Sequence, residues 1–240
     1  MELHWSDHLF FLIVGIIIPL RTVLGTQPQL ANMRFSTRMK IQLYWGNNIW
    51  LWLLAAGAAG VWWFNDRSWE LIGLTLGWVQ PAGISAIVLL VFIVLYLGET
   101  IMELNNSEHR EEAAAQMQSE LGFLPKTAYE YFHFIFLALT AGICEEFIFR
   151  GYFIRYFQCL LADDYTYTLA ILVPALIFGF VHFYQGWQAV IKIGAMAIMF
   201  GYIFVQTNSL WLLMVIHALI DLIGGLIAWR LLSTRRSTRM

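Results

Sequence analysis

Long apolar runs are the feature that most constrains this chain. Seven of them approach the ~20 residues that a helix needs to cross the hydrocarbon core of a bilayer. The runs cover residues 8–24, 41–63, 81–100, 128–149, 165–184, 187–206 and 209–231. Only 12% of the 240 residues are charged, whereas soluble domains carry about 25%. We therefore predict an all-α, polytopic membrane helix bundle with about seven transmembrane helices.

Basic residues predict the orientation of this bundle, because Lys and Arg are enriched on the cytoplasmic side. The first basic group begins at the end of the first run and contains Arg21, Arg34, Arg38 and Lys40. The second group closes the chain and contains Arg230, Arg235, Arg236 and Arg239. We expect an integral membrane protein, in the plasma membrane if the source is prokaryotic, with the N-terminus outside and the C-terminus inside. No cleavable signal peptide is expected, since the first eight residues lack Lys and Arg.

The chain also suggests a division into parts. The first half carries almost no charge within its predicted spans, and residues 101–127 form its polar connection to the second half. Good helix formers from Glu111 to Leu121, with Ser107 as a cap, predict a short amphipathic helix there. A solvated helix is favoured over a substrate-docking element. We divide the chain into membrane helices and connection (1–125), a membrane core (126–232) and a basic cytoplasmic tail (233–240).

Two adjacent carboxylates interrupt the fourth apolar run. Placing each carboxylate at bilayer depth costs roughly 2.5–3.5 kcal/mol. Charged residues that are kept there in spite of this cost usually have a function, so Glu145 and Glu146 are candidate site residues. Glu146 and Arg150 are four apart and share a helix face, while Glu145 is turned about 100° away. We predict that Glu146 contacts Arg150 and that Glu145 faces a polar cavity. The alternative is a group of membrane-edge charges that reach water.

Two later runs bring imidazoles to similar depth. Phe178 and His182 share one face of the fifth run, where Pro174 predicts a kink. His217 and Asp221 share one face of the seventh run, and a carboxylate one turn away can orient an imidazole. One alternative is that His182 is an ordinary histidine at the membrane interface. The other is that His217 and Asp221 form an i,i+4 ion pair without a further role.

The two cysteines, Cys144 and Cys159, lie in or near apolar helix, so a disulfide is not expected. Cys144 stands beside Glu145, which raises the option of a thiol nucleophile. A small packing residue is favoured instead, because free cysteine is usually buried.

Together, Glu145, His182 and His217 are predicted to face one cavity. Glutamate with histidine can take a proton from water, and a second histidine can stabilise an oxyanion. The same three residues could ligate a divalent metal such as zinc with one open position. The residue types alone do not distinguish a metal site from a site that works without a cofactor.

The ordered set of Glu145-Glu146-x-x-x-Arg150, Phe178-x-x-x-His182 and His217-x-x-x-Asp221 resembles the motifs of the CAAX protease and bacteriocin-processing family. This family of intramembrane proteases includes type II CAAX prenyl endopeptidases. The resemblance covers about residues 126–231 and is most specific from Glu145 to Gly151.

The resemblance implies a role for each matching residue. Glu145 would be the general base together with His182, and Glu146 would support it with Arg150. His217 and the residue four later would bind the oxyanion.

That last position is most often asparagine in the family and is Asp221 here. An ionised aspartate cannot donate a hydrogen bond, so Asp221 must be protonated, orient His217 or help to bind a metal. The family has been described both as metal-dependent and as glutamate-dependent without metal.

These observations predict an intramembrane endopeptidase that cuts a membrane-associated peptide or protein in contact with the lipid bilayer, with no nucleic-acid partner. Prenylated CAAX tails are one substrate class, and bacteriocin or signalling-peptide precursors are another. A proton-coupled transporter is a second hypothesis, although the first three spans do not resemble an inverted copy of the later ones. A non-catalytic immunity or scaffold protein with a protease-like core is a third.

Overall fold

The computed structural model describes residues 1–25, 35–75, 81–161 and 166–237. Within these ranges the chain is helical and contains no strand, so the predicted all-α class is confirmed. Arg34, Arg239 and the tail residues 238–240 lie outside the described ranges. The long helices, numbered along the chain, are α1 (Trp5–Gly25), α2 (Thr37–Phe64), α3 (Ile84–Asn105), α4 (Ser107–Glu120), α5 (Ala128–Leu161), α6 (Thr166–Val181), α7 (Trp187–Thr207) and α8 (Trp211–Ser237).

Five of these helices are long and apolar enough to cross a membrane, namely α1, α3, α5, α7 and α8. Helix α2 has 28 residues, but its asparagines, lysine and tryptophans make it less apolar than the five. The apolar part of α6, Tyr167–Val181, is shorter than a full span. An integral membrane protein is therefore confirmed, the count of seven is not, and the orientation of the termini stays a prediction.

Helix α2 is fixed near both of its ends by polar contacts with the first turns of two other helices. Near its start, Lys40 Nζ lies 3.0 Å from Oε2 of Glu130 at the beginning of α5. Just after its end, Asn65 Nδ2 donates to Ser6 Oγ at the beginning of α1, at 3.2 Å. The ends of α1, α2 and α5 are thus tied by polar contacts, while their middles pack through apolar side chains.

A buried ion pair lies just outside the predicted spans of the first half. Asp7, in the first turn of α1, is fully buried and accepts two hydrogen bonds from Arg67, at 2.7 and 2.6 Å. The Tyr152 hydroxyl donates to the same carboxylate at 2.5 Å. These partners lie 60 and 145 positions away in the chain, so spacing along the sequence gives no sign of the cluster.

The early and late helices share one apolar core. Phe10 and Trp62, from α1 and α2, contact the ring of Tyr152 in α5 at centroid distances of 4.9 and 5.9 Å. The same buried cluster extends through Phe153 to Phe200 of α7. The division at residue 125 stays a prediction, and the first two helices contribute directly to the packing of α5.

Candidate active site

Helix α5 carries both adjacent carboxylates at its middle. Its α-helical part, Ala128–Glu146, continues as one wider π-helical stretch from Phe147 to Phe153, in which all seven residues are buried. Such stretches are rare and frequent at functional sites. Glu146 is fully buried, and its Oε1 accepts a hydrogen bond from Arg150 at 2.8 Å. The predicted contact between Glu146 and Arg150 is thus present in the structure.

Aromatic rings hold the Arg150 guanidinium in place. Its Cζ atom lies 4.5 Å from the ring centroid of Phe178 and 5.4 Å from that of Phe200. Arg150 is only 2% exposed, and an arginine over a ring face is attracted by the ring quadrupole, more strongly when water is excluded. Phe178 and Phe200 therefore help to keep a charged group stable at membrane depth.

His217 of α8 is bound to the second glutamate rather than to Asp221. Its Nδ1 lies 2.7 Å from Glu146 Oε1, whereas Asp221 Oδ2 lies 3.8 Å from its Nε2, beyond hydrogen-bond distance. The carboxylate that orients the imidazole is thus Glu146. Because Nδ1 faces Glu146, Nε2 is the nitrogen that faces Glu145 and Asp221.

This contact depends on a close approach of α5 and α8 at Gly142. A Cβ atom at this position would lie 2.8 Å from the carbonyl oxygen of Met214 and 2.8 Å from the backbone nitrogen of Ala218. Neither backbone atom can move without the helix. Glycine therefore allows the two helices to meet just where His217 must reach Glu146.

We expect Gly142→Ala to destabilise the protein by about 1–3 kcal/mol, the usual cost of overpacking a filled core. The change is measured as a lower melting temperature in detergent. Gly98→Ala in α3 is the matched control, because a Cβ there meets nothing within 4 Å. Equal melting temperatures for the two variants would contradict the close-approach argument.

Glu145 faces two imidazoles without a bond to either. Its Oε2 lies 4.0 Å from His182 Nε2 and 3.8 Å from His217 Nε2. Within the described part of the chain, this buried oxygen has no hydrogen-bond partner. A polar gap of this width is one that a single water can bridge. The structure thus brings Glu145, His182 and His217 together around one short gap.

His182 stands directly after the last residue of α6 and is held in one orientation. Its Nδ1 lies 2.8 Å from the carbonyl oxygen of Phe178, so in the neutral ring Nδ1 carries the proton and Nε2 the lone pair. The lone pair then points toward Glu145. Helix α6 continues through Pro174, and Phe178 in its last turn contacts the His182 ring just after its end, with centroids 4.7 Å apart.

Exposure rises from one side of this acid–imidazole cluster (Glu145, Glu146, His182, His217 and Asp221) to the other. The side chain of Glu146 is 0% exposed and that of His217 5%, while Glu145 and His182 reach 14%. Asp221 is 34% exposed. The cluster is therefore approached from the side of Asp221, and the Glu146–Arg150 pair forms its closed end.

The cluster does not have the spacing of a zinc site. Zinc bonds of about 2.0–2.1 Å place tetrahedral ligand atoms roughly 3.3–3.5 Å apart, and the two distances from Glu145 to the imidazoles are longer. No group of three or more His, Cys, Asp or Glu side chains in the described ranges is arranged to hold a metal ion. The residue types suit zinc and the arrangement does not, so we derive no step through a metal.

A surface groove lies elsewhere, between α2 and α5, with a volume of about 470 Å³. It is lined mainly by apolar and aromatic side chains, together with Asn48 and Thr140. Its groups include no acid or imidazole. We therefore locate the candidate site from the chemistry of the cluster rather than from the size of a cavity.

Several residues near the cluster gave no signal in the sequence analysis. Phe200 contributes a ring to the Arg150 environment, and Gly142 sets the helix crossing. Tyr184 lies against His182, with ring centroids 6.1 Å apart. Each is an ordinary residue type in an apolar helix or a turn, so only its three-dimensional neighbours reveal it. Cys144 is buried in the shared core, as expected for a packing residue.

Comparison with known proteins gives one family. Residues 127–223 match the family model described as Rce1-like: Type II CAAX prenyl endopeptidase Rce1-like. The matched segment contains every residue of the acid–imidazole cluster and confirms the resemblance stated above. No curated protein and no solved structure matches the chain.

Proposed function

We propose that this membrane protein is an intramembrane endopeptidase, because residues 127–223 match the Rce1-like family model of type II CAAX prenyl endopeptidases. It hydrolyses a peptide bond of a membrane-associated protein or peptide by means of an activated water. One observation carries the proposal. The buried Oε2 of Glu145 has no hydrogen-bond partner in the described structure and lies 4.0 Å from His182 Nε2 and 3.8 Å from His217 Nε2.

The first step is attack by water. A water in the gap donates one hydrogen bond to Glu145 and the other to the Nε2 lone pair of His182. Glu145 takes the proton as the water oxygen bonds to the carbonyl carbon of the substrate. The Phe178 carbonyl holds the His182 ring in the orientation that this step needs.

The carbonyl oxygen of the substrate then carries negative charge. His217 donates to it from Nε2, which requires the doubly protonated ring because Nδ1–H is held by Glu146. Glu146 and Asp221 provide the negative charge that stabilises this imidazolium. Donors fixed in place before the reaction cost no reorganisation in the transition state.

Breakdown of the tetrahedral intermediate completes the reaction. The protonated Glu145 returns its proton to the nitrogen of the scissile bond, the C–N bond breaks, and the oxyanion becomes a carbonyl again. The products are a new carboxyl terminus and a new amine, and Glu145 is again ionised. The Glu146–Arg150 pair takes no part in bond making and keeps His217 in position.

The position of the cluster limits the substrate. It lies in the middle of α5, next to apolar helix on all elements that carry it. A peptide bond must therefore be delivered by a chain that is itself associated with the membrane. Prenylated CAAX tails and precursors of bacteriocins or signalling peptides both meet this condition, and the proposal includes both classes.

Purified protein in proteoliposomes tests the proposal. A panel of membrane-anchored peptides, with and without a prenylated C-terminal cysteine, is incubated with the enzyme, and the products are identified by mass spectrometry. We expect cleavage of at least one class at a defined bond. Proton flux without cleavage would favour a transporter, and the absence of both would favour a non-catalytic scaffold.

Metal dependence is tested separately. We expect the same cleavage rate before and after dialysis against a strong zinc chelator, because the site uses a carboxylate base and its ligand atoms stand wider than zinc requires. Elemental analysis of the dialysed protein serves as the control for metal removal. A rate that disappears with the chelator and returns with added zinc would replace the water activation proposed here with a metal mechanism.

A further inference from the structure

A tyrosine outside the predicted site lies directly over it. The short 3₁₀ turn Phe183–Gln185 follows His182 and places the Tyr184 ring nearly parallel to the imidazole, with an angle of 29° between the planes. Phe123, from the connection between α4 and α5, also contacts the Tyr184 ring, at 5.9 Å between centroids. The phenol ring is thus held between a loop and one of the proposed catalytic histidines.

The Tyr184 hydroxyl is able to donate a hydrogen bond. It accepts a hydrogen bond from Gln185 Nε2 at 2.9 Å, and among the described residues no group accepts a hydrogen bond from it. Because the Tyr184 ring stacks on the His182 imidazole, with centroids 6.1 Å apart, this O–H donor belongs to a side chain that contacts the acid–imidazole cluster.

The proposed reaction needs such a donor. His217 supplies one hydrogen bond to the oxyanion, and Asp221 supplies none when ionised. Arg150 is sequestered at the closed end, 2% exposed and stacked between two aromatic rings. Oxyanion sites normally present more than one donor, and Tyr184 carries an O–H donor on a ring that contacts His182.

We infer that Tyr184 is a catalytic residue that donates its hydroxyl proton in a hydrogen bond to the substrate oxyanion, beside His217. The inference rests on the proposed function and names a further group in the same site. No proton is transferred in this step. The phenol O–H bond stays intact, its hydrogen bond strengthens as the carbonyl oxygen becomes negative, and it weakens again when the C–N bond breaks.

Tyr184→Phe tests the inference, because it keeps the ring between Phe123 and His182 and removes only the hydroxyl. We expect kcat to fall about 10²-fold, the lower range for loss of one oxyanion donor, with KM within about twofold of the wild-type value. Tyr202→Phe in α7 is the matched control and should leave both constants unchanged. Melting temperatures of both variants check that the fold is kept.

A second background separates catalysis from packing. Asp221→Asn introduces an amide donor beside His217, so Tyr184→Phe should cost less than about tenfold in kcat when it is made in that background. A packing role predicts the same loss in both backgrounds and would overturn the inference, as would native kcat in Tyr184→Phe alone. A wild-type protein that cleaves no peptide would instead overturn the proposed function.

Discussion

Glu145→Gln should abolish cleavage, with a fall in kcat of about 10³-fold or more, within the upper range for loss of a general base. Glutamine keeps the size of the side chain but has no lone pair basic enough to take a proton from water. The water would still bind between the amide and His182, so KM should change little. Rates are measured in proteoliposomes with the best peptide of the panel.

The matched control is Glu99→Gln in α3. Glu99 is also a glutamate within an apolar helix, but it is more than half exposed and pairs with Lys192 on the surface. This variant should cleave at the wild-type rate. If Glu145→Gln cleaves as fast as Glu99→Gln, the assignment of Glu145 as the base is wrong, and Asp221 is the next carboxylate to test.

We expect substitutions of Glu145 and Glu146 to differ in their effect on the stability of the protein. The Glu145 Oε2 atom is buried without a hydrogen-bond partner in the described structure, and a buried polar atom in that state costs free energy. Replacing the carboxylate with an amide should therefore leave the melting temperature unchanged or raise it. A large fall would indicate that Glu145 has a structural role instead.

Glu146→Gln should have the largest effect on stability, a loss of about 3–5 kcal/mol, because it leaves a buried charge without its partner. Arg150 is 2% exposed, and Glu146 is the carboxylate that balances it. His217 would lose the negative charge at Nδ1 as well. We expect a much lower melting temperature in detergent and a lower yield of folded protein.

A double variant makes this prediction specific. Replacing a buried ion pair by apolar groups is often neutral, whereas removal of one partner is costly. Glu146→Gln combined with Arg150→Met should therefore be more stable than Glu146→Gln alone, while cleavage stays low because His217 is no longer held. Equal stability of the single and double variants would show that the charge of Arg150 is balanced by another group.

The site could be predicted as a set of residues but not as a set of contacts. The order and spacing of Glu145, His182 and His217 in apolar runs indicated that they meet, and in the structure Glu145 stands within 4.0 Å of both imidazoles. The partner of His217 could not be found in this way. Spacing favours Asp221, four residues later, yet Glu146 holds the ring from a helix that begins 83 residues before α8.

Tyr184 and Gly142 were missed for a related reason. A tyrosine in a turn and a glycine in an apolar helix are common, and neither residue type indicates a site. Their roles depend on what approaches them, which is the His182 ring in one case and the backbone of α8 in the other. Sequence periodicity describes one helix at a time and gives no information about which helix packs against it.

By itself, the sequence determined that this chain is a bundle of membrane helices with acid and imidazole groups at membrane depth, because hydropathy and helical period act locally. Tertiary structure alone decided which of the two neighbouring carboxylates binds the His217 imidazole. Glu146 binds Arg150 and His217, whereas the buried Oε2 of Glu145 has no hydrogen-bond partner among the described residues. That division depends on distances between helices far apart in the chain, which packing fixes and local sequence does not.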